Sequence, residues 1–207
     1  MFDAYCGWCY GFDAAFERFV AEHADQIDLT IFSGGLFTGA RVAPMASMPY
    51  IGAANDRIAA LTGARFGDGY LRTAADPTFA MDSTDAAVGF AAMRRLAPGR
   101  ELEVAAEMQR SFYQDGRSLS DSATYRVIAA RLDLDAEAVV AALDSPRARA
   151  DAQEDFRRAR SLGVDSFPTV LVELSDGSTG RLGGPASTAE QLAVAFATLR
   201  LHGTDAD

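Results

Sequence analysis

The chain is short of cysteine: Cys6 and Cys9 are its only two in 207 residues. The disulfide framework of a small secreted domain is therefore excluded, and no third thiol exists to cross-link either one. Histidine is equally scarce, with His23 and His202 alone. Structural zinc takes four protein ligands and catalytic zinc three, so two thiolates and two distant imidazoles argue against a metal site.

Long apolar runs are missing too. No window approaches the roughly 18 consecutive apolar residues of a membrane span, and no basic region, apolar segment and cleavage site open the sequence. The chain as written reads as cytoplasmic, without membrane contact. Positive charge is in deficit: the formal net charge of -10 and the pI near 4.6 set this surface against nucleic acid. There is no internal repeat and no low-complexity linker. With 49% hydrophobic residues, the chain can bury a sizeable core.

What is present begins with "MFDAYCGWCYGF". Cys9, Phe12, Phe16, Phe19 and Val20 recur at steps of three and four, which predicts a helix to about His23 with Cys9 on its packed face and Cys6 exposed at the first turn. Ile27, Leu29 and Ile31 alternate with polar residues and predict a strand closed by Ser33, Gly34 and Gly35. From about residue 39 to 163 there are helical patterns rich in alanine and no convincing strand. Ser122 and Ser145 are candidate helix caps, Pro146 suits a first helical position, and Gly163 ends the last of these helices. Thr169 to Leu174 then predicts a strand, Asp176 and Gly177 a hairpin turn, and Thr179 to Gly183 a return strand. A final helix carries Leu192, Ala195, Phe196 and Leu199 on one face, before a short polar tail from about His202 to Asp207.

Two cysteines at a helix N-terminus suit thiol exchange. The thiolate is the reactive species, and unpaired N–H groups with the helix dipole favour an anion there. In that arrangement Cys6 is the attacking thiol, and Cys9, one turn on, resolves the mixed disulfide. The Gly7-Trp8 spacer brings no cation, so a less oxidising pair than a CPHC site is expected. Two small buried hydrophobes remain the alternative for the cysteines, and an ordinary trans proline that starts a strand remains the alternative for Pro168.

The order CxxC helix, strand, helical segment, "SFPTVLV", hairpin ending "RLGGP" and terminal helix resembles the DsbA-like thiol-disulfide oxidoreductase family of the thioredoxin-fold superfamily. The resemblance implies an α/β thioredoxin fold with a large all-helical insertion. Residues 1–38 and 164–207 would form the thioredoxin-like domain and 39–163 the insertion. It implies Cys6 as nucleophile, Cys9 as resolving thiol, and Pro168 as a cis-proline facing the disulfide. Phe167 would offer its backbone to a bound substrate strand, with Trp8 either a substrate contact or packed over the insertion. The implied partners are protein or peptide thiols and disulfides and a redox recycling partner. No cofactor is expected beyond the redox-active Cys6-Cys9 disulfide, with glutathione a candidate exchange partner.

Two other readings stay open. One is a glutathione-dependent isomerase or kappa-class glutathione transferase-like enzyme, and the other is a non-catalytic peptide-binding module or holdase. The pattern is also incomplete. Only Met1 to Tyr5 precede the CxxC, where five or six residues of strand are usual, and the first strand is expected to be short or truncated. The superfamily's buried acid, six residues before the first cysteine, falls before Met1, and alignment leaves Asp3 too close to Cys6 to take its place. The expectation is a chain that starts late.

Overall fold

The computed structural model describes residues 1–174 and 177–204, the side chains of 202–204 excepted. Nine α-helices are formed among these residues. They are α1 (Gly7–Glu22), α2 (Tyr50–Thr62), α3 (Asp68–Ala75), α4 (Ser83–Leu96), α5 (Glu101–Tyr113), α6 (Ser122–Arg131), α7 (Ala136–Leu143), α8 (Pro146–Ser161) and α9 (Ala189–Thr204). Strands β1 (Leu171–Glu173) and β2 (Thr179–Arg181) pair antiparallel, Val172 opposite Gly180, between α8 and α9. The fold is the thioredoxin fold of DsbA type, with its helices inserted between Phe37 and β1.

Local chemistry accounts for the helix ends. The Asp82, Asp121 and Asp135 carboxylates and the Ser145 hydroxyl each accept from a first-turn N–H, and Pro146 takes the first helical position of α8. The cap of α6 is therefore Asp121, one residue ahead of the expected Ser122. Gly63, at φ 76°, closes α2 in the left-handed conformation that costs a side chain most.

Packing joins these elements through one main core. Phe2 meets Phe90 of α4 edge to face at 4.9 Å, and Tyr5 meets Phe112 of α5 at 4.7 Å. Phe90 and Phe112 are fully buried, which stabilises the fold by about 1.5–3 kcal/mol for each. Small residues let α4 and α8 approach: Ala87, Ala91 and Ala92 pack on Ala148 and Ala152. Across that interface Asp155 accepts two bonds from Arg94, at 2.8 and 2.9 Å, and one from the Ser33 N–H at 3.0 Å. A second core packs Phe12 and Phe19 of α1 against Leu182, Leu192 and Phe196.

Two expectations about strands need correction. Residues 27–31 alternate in burial as a strand would, with Ile27 and Leu29 half-buried, Ile31 buried, and Asp28 and Thr30 exposed. Yet they form no ladder, and the contact with the N-terminal segment is the single parallel bridge Phe2–Ser33. A strand needs a neighbour to bond to, and among the described residues none runs alongside them. The Thr169–Leu174 strand is correspondingly reduced to Leu171–Glu173. The hairpin turn expected at Asp176 and Gly177 involves a residue outside the described ones, as does the end of the polar tail.

Candidate active site

Met1 and Phe2 hold the N-terminal segment in place. Met1 exchanges two hydrogen bonds with Thr169, donating at 2.8 Å and accepting at 3.1 Å. The Phe2 N–H donates to Phe32 O at 3.0 Å, and the Phe2 carbonyl accepts from the Gly34 N–H. A turn follows, in which the Cys6 N–H donates to Asp3 O at 3.0 Å. Cys6 thereby becomes the N-cap of α1, at φ -87° and ψ 112°.

Cys6 is buried, with 5% of its surface exposed, and so departs from the exposed position expected of it. The cause is the proline loop. The Phe167–Pro168 bond is cis, and the Phe167 carbonyl accepts from Cys6 Sγ at 3.3 Å. Phe167 is half-buried, its ring lying over Gly34. A Cβ on Gly34 would sit 2.3 Å from Phe167 Cζ, so only glycine leaves the ring its seat. The loop is braced by Thr169, whose hydroxyl donates to Ser166 O at 2.8 Å and accepts from Arg181 at 3.0 Å.

Cys9 is buried on the inner face of α1, as expected. Both cysteines are free thiols. Burial pushes the Cys9 thiol well above its ordinary range, and hydrogen bonding to Cys6 and the Cys6 charge add to this. The Asp3 N–H donates to Cys9 Sγ at 3.5 Å and acts the other way.

Asp3 is itself a buried acid, only 1% exposed. Its carboxylate accepts from the Tyr5 N–H at 3.0 Å, the Leu36 N–H at 2.9 Å and the Ser83 hydroxyl at 3.1 Å. Desolvation outweighs these bonds and raises its pKa to about 6. Sequence reasoning left Asp3 without a role, and the one signal that could have found it is the Asp-x-x-Cys-x-x-Cys spacing. Tyr113 was missed altogether. It is buried, stacked on Tyr10 at 4.6 Å, and its hydroxyl lies 3.8 Å from where a Cβ on Gly7 would be.

Trp8, between the cysteines, is half-buried and packs against the main core, with the Arg57 guanidinium of α2 over its ring at 5.9 Å. His23 lies at the far end of α1, its Nδ1 2.9 Å from Phe19 O. Among the described residues no three His, Cys, Asp or Glu side chains are grouped to hold a metal ion.

The structure thus brings Cys6, Cys9, Phe167 and Pro168 together. Two thiols one helical turn apart, the first at a helix N-terminus, can alternate between dithiol and disulfide.

Similarity to known proteins agrees with this arrangement. Residues 1–197 match the DSBA-like thioredoxin domain family. Among solved structures, the cytosolic disulfide reductase DsbM from Pseudomonas aeruginosa is 28% identical, with a TM-score of 0.79 and 97% of each chain covered. The same protein with GSH is 27% identical over 96% of each chain, at a TM-score of 0.75. A putative protein disulfide isomerase from Nitrosomonas europaea, 22% identical with 95% of this chain and 93% of that one covered, shares the fold at a TM-score of 0.82. No curated protein matches. With the family match spanning nearly the whole chain, this protein belongs to the DSBA-like thioredoxin domain family.

Proposed function

We propose that the protein exchanges disulfides with protein substrates, with Cys6 as nucleophile and Cys9 as resolving thiol. The observation that carries this is the contact of Cys6 Sγ with the Phe167 carbonyl at the cis-proline, 3.3 Å away, beside a second free thiol.

In the reducing direction the Cys6 thiolate attacks one sulfur of a substrate disulfide. The Cys6–substrate bond forms, the substrate S–S bond breaks, and the first substrate sulfur leaves as a thiolate that takes up a proton. Cys9 then loses its proton and attacks Cys6 Sγ, which releases the second substrate thiolate. The protein ends as the Cys6–Cys9 disulfide and the substrate as a dithiol; oxidation of a substrate is the same sequence reversed.

Three residues have parts in these steps. Cys6, at the N-cap of α1, presents its sulfur to the incoming disulfide. As a thiolate, Cys6 no longer donates to Phe167, and the freed carbonyl can accept from a substrate strand in the manner of β-augmentation. The buried Asp3 carboxyl, with a pKa of about 6, opposes negative charge at Cys9 when ionised. It thereby favours the closed disulfide, which carries none.

Two molecules of glutathione supply the electrons that restore the dithiol, leaving as glutathione disulfide. The likeness to DsbM with GSH favours glutathione in this role. It also favours a cytoplasmic setting, where disulfides are transient.

Trapping tests the assignment. Cys9→Ser should accumulate mixed disulfides with cellular proteins through Cys6, and Cys6→Ser should lose insulin reduction. Full reduction by Cys6→Ser would overturn it, while glutathione conjugation or isomerase activity that survives Cys9→Ser would favour the transferase-like reading.

A further inference from the structure

The chain has six tyrosines, and all but one of their hydroxyls are held in hydrogen bonds. Tyr5 accepts from the Leu119 N–H at 2.8 Å, and Tyr70 accepts from Asn55 Nδ2 at 2.9 Å. Tyr10 donates to Arg65 O at 2.7 Å, Tyr50 to Met48 Sδ at 3.5 Å and Tyr125 to Leu119 O at 2.8 Å. Tyr113 is the exception. It is 2% exposed, yet among the described residues its hydroxyl makes no hydrogen bond. A buried phenol usually finds a partner, and lacking one is costly.

The Tyr113 ring is clamped. It closes α5, stacks on Tyr10 at 4.6 Å, meets Phe112 edge to face at 4.8 Å and lies against Tyr70 at 5.1 Å. So held, the hydroxyl is aimed at the first turn of α1, 3.8 Å from where a Cβ on Gly7 would be. Ile58 Cδ1 lies 2.9 Å from the same point, so glycine is what lets α1 come this close. Gly7 directly follows Cys6, the N-cap of that helix.

Cys6 is also the charge that acts most strongly on Tyr113. Burial drives the Tyr113 pKa well above its ordinary value, and the Cys6 charge adds more than Tyr70, Cys9 or Asp3. The phenol therefore keeps its proton beside the thiols and remains a donor. In the dithiol, Cys6 Sγ donates to Phe167 O at 3.3 Å and caps no first-turn N–H. A thiolate has no proton to give, so sulfur and carbonyl would then face each other as two acceptors.

We infer that Tyr113 is the hydrogen-bond donor to the Cys6 thiolate, engaged when the sulfur turns from Phe167 toward the first turn of α1, a role that rests on the proposed exchange at Cys6. The tyrosine O–H bond stays intact and no proton is transferred. The hydrogen bond forms each time Cys6 is released from a disulfide as a thiolate, and it is lost when Cys6 bonds to Cys9 or to a substrate sulfur. Tyr113 thus favours the reduced form, opposite in sense to the Asp3 carboxylate.

Tyr113→Phe tests this, because it keeps the ring and its stacking and removes only the hydroxyl. Equilibration with glutathione at pH 8 should shift about tenfold toward the Cys6–Cys9 disulfide, as expected for the loss of a hydrogen bond to a charged group. In a Cys9→Ser background the mixed disulfide of Cys6 with glutathione should be favoured by a similar factor, because the donor acts on Cys6. Urea unfolding of both redox forms is the second reading. The unfolding constant of the reduced protein should rise by the same factor and that of the oxidised protein should not, since only the reduced form holds the thiolate. Unchanged glutathione equilibria would overturn the role of Tyr113, as would equal destabilisation of both redox forms, which marks a packing group. A shift that vanishes in Cys9→Ser would also overturn it, by placing the donor at Cys9. All three outcomes leave exchange at Cys6 standing, whereas full insulin reduction by Cys6→Ser would remove that reading itself.

Discussion

The backbone N–H of Asp3 donates to Cys9 Sγ at 3.5 Å, while the carboxylate of the same residue turns away to Leu36, Tyr5 and Ser83. One residue therefore acts on the Cys9 thiol in two opposed ways. Its amide stabilises a Cys9 thiolate, and its charge, when present, opposes one.

The charge can be removed while the amide stays. In a Cys6→Ser background, which leaves Cys9 as the only thiol, Asp3→Asn should move the pH dependence of Cys9 alkylation to lower pH. An unchanged or raised profile would show that the carboxylate is not felt at the sulfur.

Stability should fall as pH rises from about 4 to 7. Asp3, at about 6, and Asp13, at about 7, both lie above the ordinary 3.8, through desolvation first and, for Asp13, also through Glu17. A carboxyl raised by folding binds its proton more tightly in the folded state. The folded chain thus holds extra protons between the unfolded and folded pKa values, and stability is lost as they leave. For Asp3 the loss is about 3 kcal/mol once the pH is above 6. Asp13→Asn should therefore raise the urea midpoint over the unsubstituted chain at pH 8 and not at pH 4.

Gly34→Ala should act on the site through Phe167. The added methyl occupies the place of the Phe167 ring, and displacing it costs about 1–3 kcal/mol. It also moves the carbonyl that accepts from Cys6. Insulin reduction should fall more steeply than stability, and parallel loss of the two would show that Phe167 only packs.

Asp155→Ala should cost about 3 kcal/mol. It leaves the Arg94 guanidinium and the Ser33 N–H without their carboxylate. Denaturant unfolding measures this directly, and a cost below about 1 kcal/mol would mean that Arg94 finds water instead.

Most of the architecture was legible in the chain because its signals are local. The stripe of Cys9, Phe12, Phe16 and Phe19 marks α1, Ser145-Pro146 opens α8, and Leu192 and Phe196 mark α9; periodicity and capping depend on neighbours three or four residues away. The cysteine pair and Pro168 were legible as residue types in a particular order. The burial of Cys6 was not, because it depends on Phe167, which is 161 residues away in the chain.

The same division holds for the acid and the missing strand. By itself the sequence determined the helices, the thiols and their order, through side-chain spacing and the chemistry of sulfur at a helix start. Only the tertiary structure decided that Asp3 is a buried acid beside Cys9, that Phe167 needs Gly34, and that residues 27–31 alternate like a strand without pairing. Burial and pairing depend on segments brought together from distant parts of the chain, and the alternation of Ile27, Leu29 and Ile31 says which face is apolar but not whether a neighbour lies alongside.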